Sequence, residues 1–442
     1  MDNKKVYFTT LGCSKNDVDT DSMRTILEGK NYSSVYDPES ADIIVINTCG
    51  FIESAKEESI EEIFNMVSIK GKQKILVSGC LSQRYGEELL EEIPEIDGIL
   101  GTGQIKNIEE YIHRMELGER VSETGNLNAQ YTEGFYKSNV SVSEYVKIGE
   151  GCNNFCSYCI IPKLRGKNRS RSIEEIYDEV NYLVKNGTRE IILIAQNTTD
   201  YGIDNYGEYA LAKLLNKLGK IEELKWIRVL YLYPDNFTEE LVDEFSNNKK
   251  LIPYVDIPLQ HINDEVLKNM NRRTNKDDIV TLIQNLRKKI PEIVIRSTFI
   301  VGFPGETTEQ FEELLDFLKE VKLDRVGAFK YSKEEGTKAY EMKGHLPEDI
   351  KVERVNKLME LQEEISYENL EKRIGSVLEV LIEEDLEDTL VGRSYMDAPE
   401  IDGVVYINRD DHFKIEVGDF IKVKIIDVME HDLIGEIYEF SK

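Results

Sequence analysis

Gly151-Cys152-Asn153-Asn154-Phe155-Cys156-Ser157-Tyr158-Cys159 places three cysteines on one short loop, directly after the strand-like run Val146–Ile148. The spacing Cys-x3-Cys-x2-Cys lets one loop wrap three corners of an iron–sulfur cubane and leaves the fourth iron open. A structural zinc site asks for a fourth Cys or His nearby, and no further one lies within 30 residues of Cys159. Disulfide pairing would leave one thiol over. The loop therefore reads as a cluster site with an open iron. An electron carrier normally closes that position, so an open one points to chemistry on a bound molecule.

Downstream, strand-like and helix-like patterns alternate. Val146–Ile148, Ile191–Ile194, Ile227–Leu232, Tyr254–Ile257, Val294–Phe299 and Val326–Tyr331 read as six strands. Ser172 and Glu175 form a capping box ahead of a helix to Lys185, with Gly187 as its stop. Thr307 and Gln310 do the same for a helix after Gly305. Six β/α units suggest a partial barrel, with ligands gathered at the loops after the strands. The cysteine loop lies at that end. So do Gln196 and Asn197 after the second strand, His261 after the fourth, and Val301-Gly302-Phe303-Pro304-Gly305-Glu306 after the fifth. Glycines in such a turn permit close backbone approach. A histidine at such a place is more often a satisfied hydrogen-bonding residue than a catalyst. Lys163, Arg165, Lys167, Arg169 and Arg171 follow the cysteine loop as a basic run. They either neutralise a cluster or a carboxylate substrate, or simply form a solvated loop.

Upstream, the same alternation is more compact. Val6–Thr10, Asp42–Asn47 and Lys74–Ser78 read as strands that end at Leu11-Gly12-Cys13, Thr48-Cys49-Gly50 and Gly79-Cys80. A helix is expected over Glu57–Val67, with Ser54 and Glu57 as its capping box. Short strands between helices predict a parallel sheet covered on both faces, with ligands beyond the carboxyl ends of the strands. Cys13, Cys49 and Cys80 all occupy that end. Any one of them alone is best read as a buried structural cysteine; three in the same topological position read as a second metal site.

The predicted organisation is α/β: an N-terminal parallel-sheet domain at 1–118, a linker at 119–140, a central partial (βα)6 barrel at 141–371 and a small antiparallel β-barrel at 372–442. Residues 373–442 hold 18 acidic against 7 basic residues, a net of −11. The whole chain of 442 residues carries 84 acidic against 55 basic residues, a net of −29. That surface repels a nucleic-acid backbone and suits a basic partner, although solubility alone explains such acidity in many proteins. No run of about 18 apolar residues predicts a membrane span, and no apolar stretch after Lys4-Lys5 predicts a secretory signal. A cytoplasmic protein with reduced thiols is expected.

The residues 151–159, with aromatic Tyr158 before the last cysteine, resemble the radical S-adenosylmethionine superfamily. The resemblance implies that the open iron at Cys152, Cys156 and Cys159 binds the amino and carboxylate groups of S-adenosylmethionine. One electron then cleaves the sulfonium to a 5′-deoxyadenosyl radical. Tyr158 would pack near the adenine, Gln196 would meet the methionyl or ribose part, and Gly302 and Glu306 belong to the glycine motif near the adenosyl moiety.

The whole layout resembles the methylthiotransferase family, whose members join a three-cysteine domain, a radical barrel and a C-terminal barrel called TRAM. That resemblance implies two 4Fe-4S clusters, with the second at Cys13, Cys49 and Cys80 presenting or donating sulfur. One S-adenosylmethionine supplies the methyl group and another the radical, and no catalytic residue beyond the clusters is implied. An electron donor and a sulfur donor are needed as partners. Leu11-Gly12-Cys13-Ser14-Lys15-Asn16, Asn47-Thr48-Cys49-Gly50-Phe51-Ile52, Arg296-Ser297-Thr298-Phe299-Ile300 and Gly392-Arg393-Ser394 with Asp397 to Gly403 resemble the RimO-type members. Those act on the β-carbon of an aspartate in a small-subunit ribosomal protein. The MiaB-type alternative acts on tRNA adenosine, and an acidic C-terminal barrel disfavours it. A non-catalytic iron–sulfur redox protein is the third reading.

Overall fold

Ile43-Ile44-Val45-Ile46 and Ile75-Leu76-Val77 are apolar on both faces, as strands covered on both sides must be, and all seven side chains are buried. They form the centre of a six-stranded parallel sheet in the computed structural model, which describes residues 3–125, 127, 137, 139–410 and 412–439. The chain divides into two units, Met1–Lys225 with Ser332–Glu341, and Trp226–Tyr331 with Met342–Lys442.

In the first unit the sheet comprises β1 (Lys4–Thr10), β2 (Tyr32–Val35), β3 (Ile43–Thr48), β4 (Lys74–Gly79), β5 (Gly98–Leu100) and β6 (Val121–Glu123), in the order β2-β1-β3-β4-β5-β6. Its pairs are parallel throughout. Helices α1 (Ser14–Glu28), α2 (Glu53–Ser68), α3 (Cys80–Glu92) and α4 (Ile108–Glu116) connect the strands. One apolar cluster joins Met23, Ile26 and Leu27 to Ile108, Ile112 and Met115. Another joins Ile63 and Met66 to Leu89 and Ile93. Two points differ from expectation. The α2 helix starts at Glu53 with Ile52 at its N-cap and no side-chain cap, so Ser54 lies inside the first turn and the expected box with Glu57 does not form. The stretch expected to be a linker from residue 119 begins with β6, which extends the sheet by pairing with β5. Most of the remainder of that expected linker (126, 128–136 and 138) lies outside the described residues.

The first unit continues with β7 (Ser143–Lys147), β8 (Gly149–Glu150), α5 (Ile161–Leu164), β9 (Arg169–Ser170), α6 (Ile173–Lys185), β10 (Glu190–Ile194) and α7 (Leu211–Leu218). Strands β7 and β10 pair in parallel, and β8 with β9 antiparallel. The Ser172/Glu175 capping box forms as the sequence predicts.

The second unit holds the other four strands of the predicted series: β11 (Trp226–Val229), β12 (Tyr254–Asp256), β13 (Val294–Val301) and β14 (Arg325–Lys330). The last three form a parallel sheet in chain order. Its helices are α8 (Glu239–Asn247), α9 (Asp264–Asn269), α10 (Lys276–Lys289), α11 (Thr308–Val321) and α12 (Glu348–Glu371). The Thr307/Gln310 box caps α11. The C-terminal strands β15 (Val377–Asp385), β16 (Thr389–Ser394), β17 (Val405–Asn408), β18 (Phe420–Val428) and β19 (Leu433–Glu439) close in the order β15-β16-β17-β19-β18. The barrel expected to be antiparallel has one parallel seam, β17 with β19. Five strands cannot alternate direction all the way round a closed ring, so one seam of like direction is unavoidable.

Candidate functional site

Strands β1, β3 and β4 are neighbours, with Thr10 opposite Asn47 and Asn47 opposite Ser78. Cys13, Cys49 and Cys80 therefore leave three adjacent parallel strands at their carboxyl ends, where neighbouring chains lie about 4.8 Å apart. The backbone is shaped to bring them close. Gly12 has φ +101, and a Cβ there would stand 2.7 Å from the Cys49 Cβ and 3.0 Å from its Sγ. Gly79 has φ +96, and a Cβ there would stand 2.4 Å from the Thr48 carbonyl oxygen. Ser59 fastens the Cys49 turn, accepting from the Cys49 N–H and donating to its carbonyl, each at 3.0 Å. Cys49 and Cys80 are buried and Cys13 is exposed. Burial, then the neighbouring Cys80 and Cys13, pushes the Cys49 thiol up to about 12. Burial raises Cys80 too, against the pull of Arg165. Ligation at these thiols would have to release their protons. Three buried hydroxyl oxygens within two residues of these cysteines, on Ser14, Ser78 and Ser82, have no hydrogen-bond partner.

The compact loop is held from both sides. The Cys152 N–H donates to Gly166 O at 3.1 Å, and Cys159 N–H to Cys156 O at 3.0 Å. Phe155 sits at φ +50 and is 51% exposed, so the chain reverses between the first two cysteines through a left-handed residue. Cys152, Cys156 and Cys159 are half-buried, as is Tyr158. A segment remote in sequence completes the loop's surroundings. Ala339 N–H donates to Ser157 O at 2.8 Å. Glu334, on the same returning segment, accepts from Arg84 at 2.6 Å and pairs with Lys56 at 3.1 Å. Arg84 also donates to Gly50 O and Glu335 O, each at 3.0 Å.

Between these two cysteine sets the first unit buries a group of charges that the sequence did not announce. Arg165 is 2% exposed. Its Nη1 donates to Asp19 at 2.9 Å and to both Glu150 oxygens at 3.1 Å, and its Nη2 donates to Asn16 Oδ1 at 2.6 Å. Lys147 pairs with Asp19 and, at 2.8 Å, with Glu150. Burial pushes the Glu150 carboxyl up, but Arg165 and Lys147 hold it well below the usual carboxylate range. Of the expected basic run, Arg165 is thus fully enclosed. Arg171 pairs with Glu179 at 2.5 Å and donates to Lys147 O, and Arg169 donates to the Arg165 and Lys167 carbonyls. Lys163 and Lys167 are exposed, so the run divides into a solvated part and a part engaged by partners within the first unit. Gln196 donates from Nε2 to Glu150 at 2.6 Å, while its Oε1 and the neighbouring Asn197 Nδ2 are buried without a partner.

Gly302, Glu306 and His261 belong to the second unit. The neighbour for which Gly302 makes room is the Lys351 stem, whose Cγ would stand 2.2 Å from a Cβ at that glycine. The Glu306 carboxylate turns inward. It accepts from the Phe303 N–H at 3.0 Å and pairs with buried Arg354. It therefore holds the glycine turn from below, and its oxygens are already engaged. His261 is fully buried, its Nδ1 accepts from the Asn263 N–H at 3.0 Å, and its Nε2 has no hydrogen-bond partner. Burial pushes it down to about 3, so it is neutral at physiological pH. The motifs at 296–300 and 392–403 also turn out to be structural. Arg296 pairs with Asp256 at 2.9 Å and Asp402 at 3.3 Å, Arg325 with Asp397 at 2.5 Å, and Tyr254 donates to Asp402 at 2.6 Å. They are buried ion pairs that lock the barrel's 397–402 loop to β12, β13 and β14.

Among the described residues no three Cys, His, Asp or Glu side chains close on a single metal ion. A cubane asks for a different arrangement, one cysteine per corner. The donor chemistry fits it: three thiols in each set, with the unpartnered hydroxyls of Ser14, Ser78 and Ser82 beside the dispersed one. Among the described residues no helix is long and apolar enough to cross a membrane.

Comparison with known proteins follows the same division. Residues 5–101 match the uncharacterized protein family UPF0004, residues 146–318 the radical SAM superfamily, and residues 374–437 the TRAM domain. The chain is 52% identical over 437 residues to the ribosomal protein uS12 methylthiotransferase RimO of Thermoanaerobacter sp. (strain X514), covering 98% of this chain and 100% of that one. It is 48% identical to the protein of the same name from Clostridioides difficile (strain 630), covering 99% and 100%. Among solved structures it is similar in fold to the radical S-adenosylmethionine methyltransferase TsrM of Kitasatospora setae, at a TM-score of 0.55 and 16% identity over 74% of this chain and 75% of that one. The cobalamin-dependent radical enzyme OxsB superposes at 0.52 with 14% identity, over 82% and 56%.

Proposed function

The chain belongs to the RimO family of ribosomal protein uS12 methylthiotransferases, and from that premise we propose that its two cysteine sets divide the reaction between them. Cys152, Cys156 and Cys159 hold the cluster that engages S-adenosylmethionine, and Cys13, Cys49 and Cys80 hold a second 4Fe-4S cluster that handles sulfur. When bound, these groups supply the hydrogen-abstracting radical, the sulfur and the methyl group. The protein's own contribution is placement. Gly12 and Gly79 let three strand ends converge. Gln196 offers an unpartnered acceptor beside the Glu150–Arg165 pair, suited to the amino group of S-adenosylmethionine. Tyr158 packs at the adenine and Gly302 shapes the adenosyl end, while Glu306 acts by holding that turn.

The convergence of Cys13, Cys49 and Cys80 on three adjacent strands carries this reading, because a plain radical enzyme has no use for it. The substrate is an aspartate β-carbon in the small-subunit protein uS12, presented free or on the ribosome, and a reducing electron donor and a sulfur donor complete the cycle. A C-terminal barrel region of net charge −11 suits a basic ribosomal protein and opposes a tRNA backbone. The work is placed in the cytoplasm, where ribosomes and reduced thiols coexist. Reduced protein is incubated separately with uS12 and with tRNA. A methylthio mass gain on uS12 is expected; a gain on tRNA with none on uS12 would sink the assignment.

A further inference from the structure

Arg165 lies six residues beyond Cys159, and its partners Asn16 and Asp19 lie three and six beyond Cys13. Glu150 precedes Cys152 by two. One guanidinium thus gathers residues that flank both cysteine sets. The short helix that carries it packs on the N-terminal set: Ile160 and Leu164 form an apolar cluster with Cys80 and Phe51, and Thr102 donates to Leu164 O at 2.6 Å. Burial pushes the Cys80 thiol up, and the positive charge of the Arg165 guanidinium pulls it down against that push. A positive charge near a cluster's cysteine sulfur stabilises the more negative state of that cluster. Asp19, Glu150, Lys147 and Arg165 sum to zero charge, so loss of Arg165 would leave a net negative charge buried beside the cysteines.

We propose that Arg165 is a positioning residue for the sulfur-handling centre: clamped by Asp19, Glu150 and Asn16, it holds its positive charge near Cys80 and keeps the potential of that centre within reach of the reductant. This rests on the reading that Cys13, Cys49 and Cys80 hold a cluster. The test uses the full chain with Cys152, Cys156 and Cys159 replaced by alanine, so that reconstituted iron reports the N-terminal set alone. Absence of iron from that protein defeats the cluster reading, and this proposal with it. With iron present, the midpoint potential is measured by redox titration. R165Q is expected to lower it by a tenfold shift in the reduction equilibrium, about 59 mV for one electron. R165K, which keeps the charge and loses the fork, is expected to recover part of that shift. Equal potentials in R165Q and its parent, at equal iron content, overturn the proposal. Should R165Q fail to load iron, N16A removes a neutral partner of the clamp without changing the buried charge: a smaller shift in the same direction supports the proposal, and no shift overturns it.

Discussion

The two cysteine sets reach similar arrangements by opposite routes. The compact set needs eight consecutive residues, a left-handed turn at Phe155 and one hydrogen bond to Gly166. The dispersed set needs a whole sheet, because each thiol sits where it does only through the register of β1, β3 and β4. A local motif survives as a sequence pattern, whereas a dispersed one survives only as topology. The dispersed site should therefore be the more sensitive to changes far from any thiol.

The sharpest break separates the two by chemistry. C156A should reduce S-adenosylmethionine cleavage to background, read as 5′-deoxyadenosine. C13A should keep that cleavage and lose the methylthio product; loss of cleavage in a folded C13A protein would contradict the division of labour. Next comes backbone shape. Gly79→Ala drives a Cβ into the Thr48 carbonyl at a φ that L residues rarely adopt, and should destabilise the first unit by about 3 kcal/mol. Iron counts should show loss at Cys13, Cys49 and Cys80 with the compact set retained; equal loss at both would erase the contrast. Arg84→Ala tests whether the compact loop is as local as it looks. It leaves buried Glu334 with only Lys56 and the Ser332 hydroxyl and should lower stability by about 2 kcal/mol. It should also speed iron loss from Cys152, Cys156 and Cys159, followed by chelator kinetics. The smallest effect calibrates the others. Ser172→Ala removes a formed capping box and should lower stability by about 1 kcal/mol in denaturant unfolding without moving either iron count. Ser54→Ala, at the box that does not form, should be neutral.

The same contrast explains what the sequence made legible. The six cysteines, the six strands of the second series, and the caps at Ser172 and Thr307 are encoded by short spacings, and such patterns depend on nothing distant. The Ser54 box satisfied the same pattern and failed, because the chain enters α2 two residues earlier, with Ile52 at the N-cap. The Asp19–Lys147–Glu150–Arg165 group joins residues up to 146 apart, and no window of sequence contains it. Its one trace was a basic run in an acidic chain, and which member would be buried was not visible there. The ion pair that Glu306 makes was not visible there either, because its partner Arg354 lies 48 residues away. The stretch at 397–402 gave a family resemblance but not its structural role, since a short polar signature does not reveal that Arg296 and Arg325 neutralise it.

The return of Ser332–Glu341 to the first unit makes that unit discontinuous in the chain. During synthesis all six cysteines leave the ribosome well before Glu334 and Ala339 do. Until then Arg84 has no Glu334 to meet, and Ser157 lacks its donor from Ala339. Domains generally fold as units in the order they emerge, but this one must wait for a segment encoded after Trp226–Tyr331 of its neighbour. The surroundings of the compact loop are thereby complete only once the chain has been made past Glu341. A protein stopped at Lys225 should carry every thiol and yet retain less iron than the full chain, and adding the 332–341 segment as a peptide should restore part of the difference.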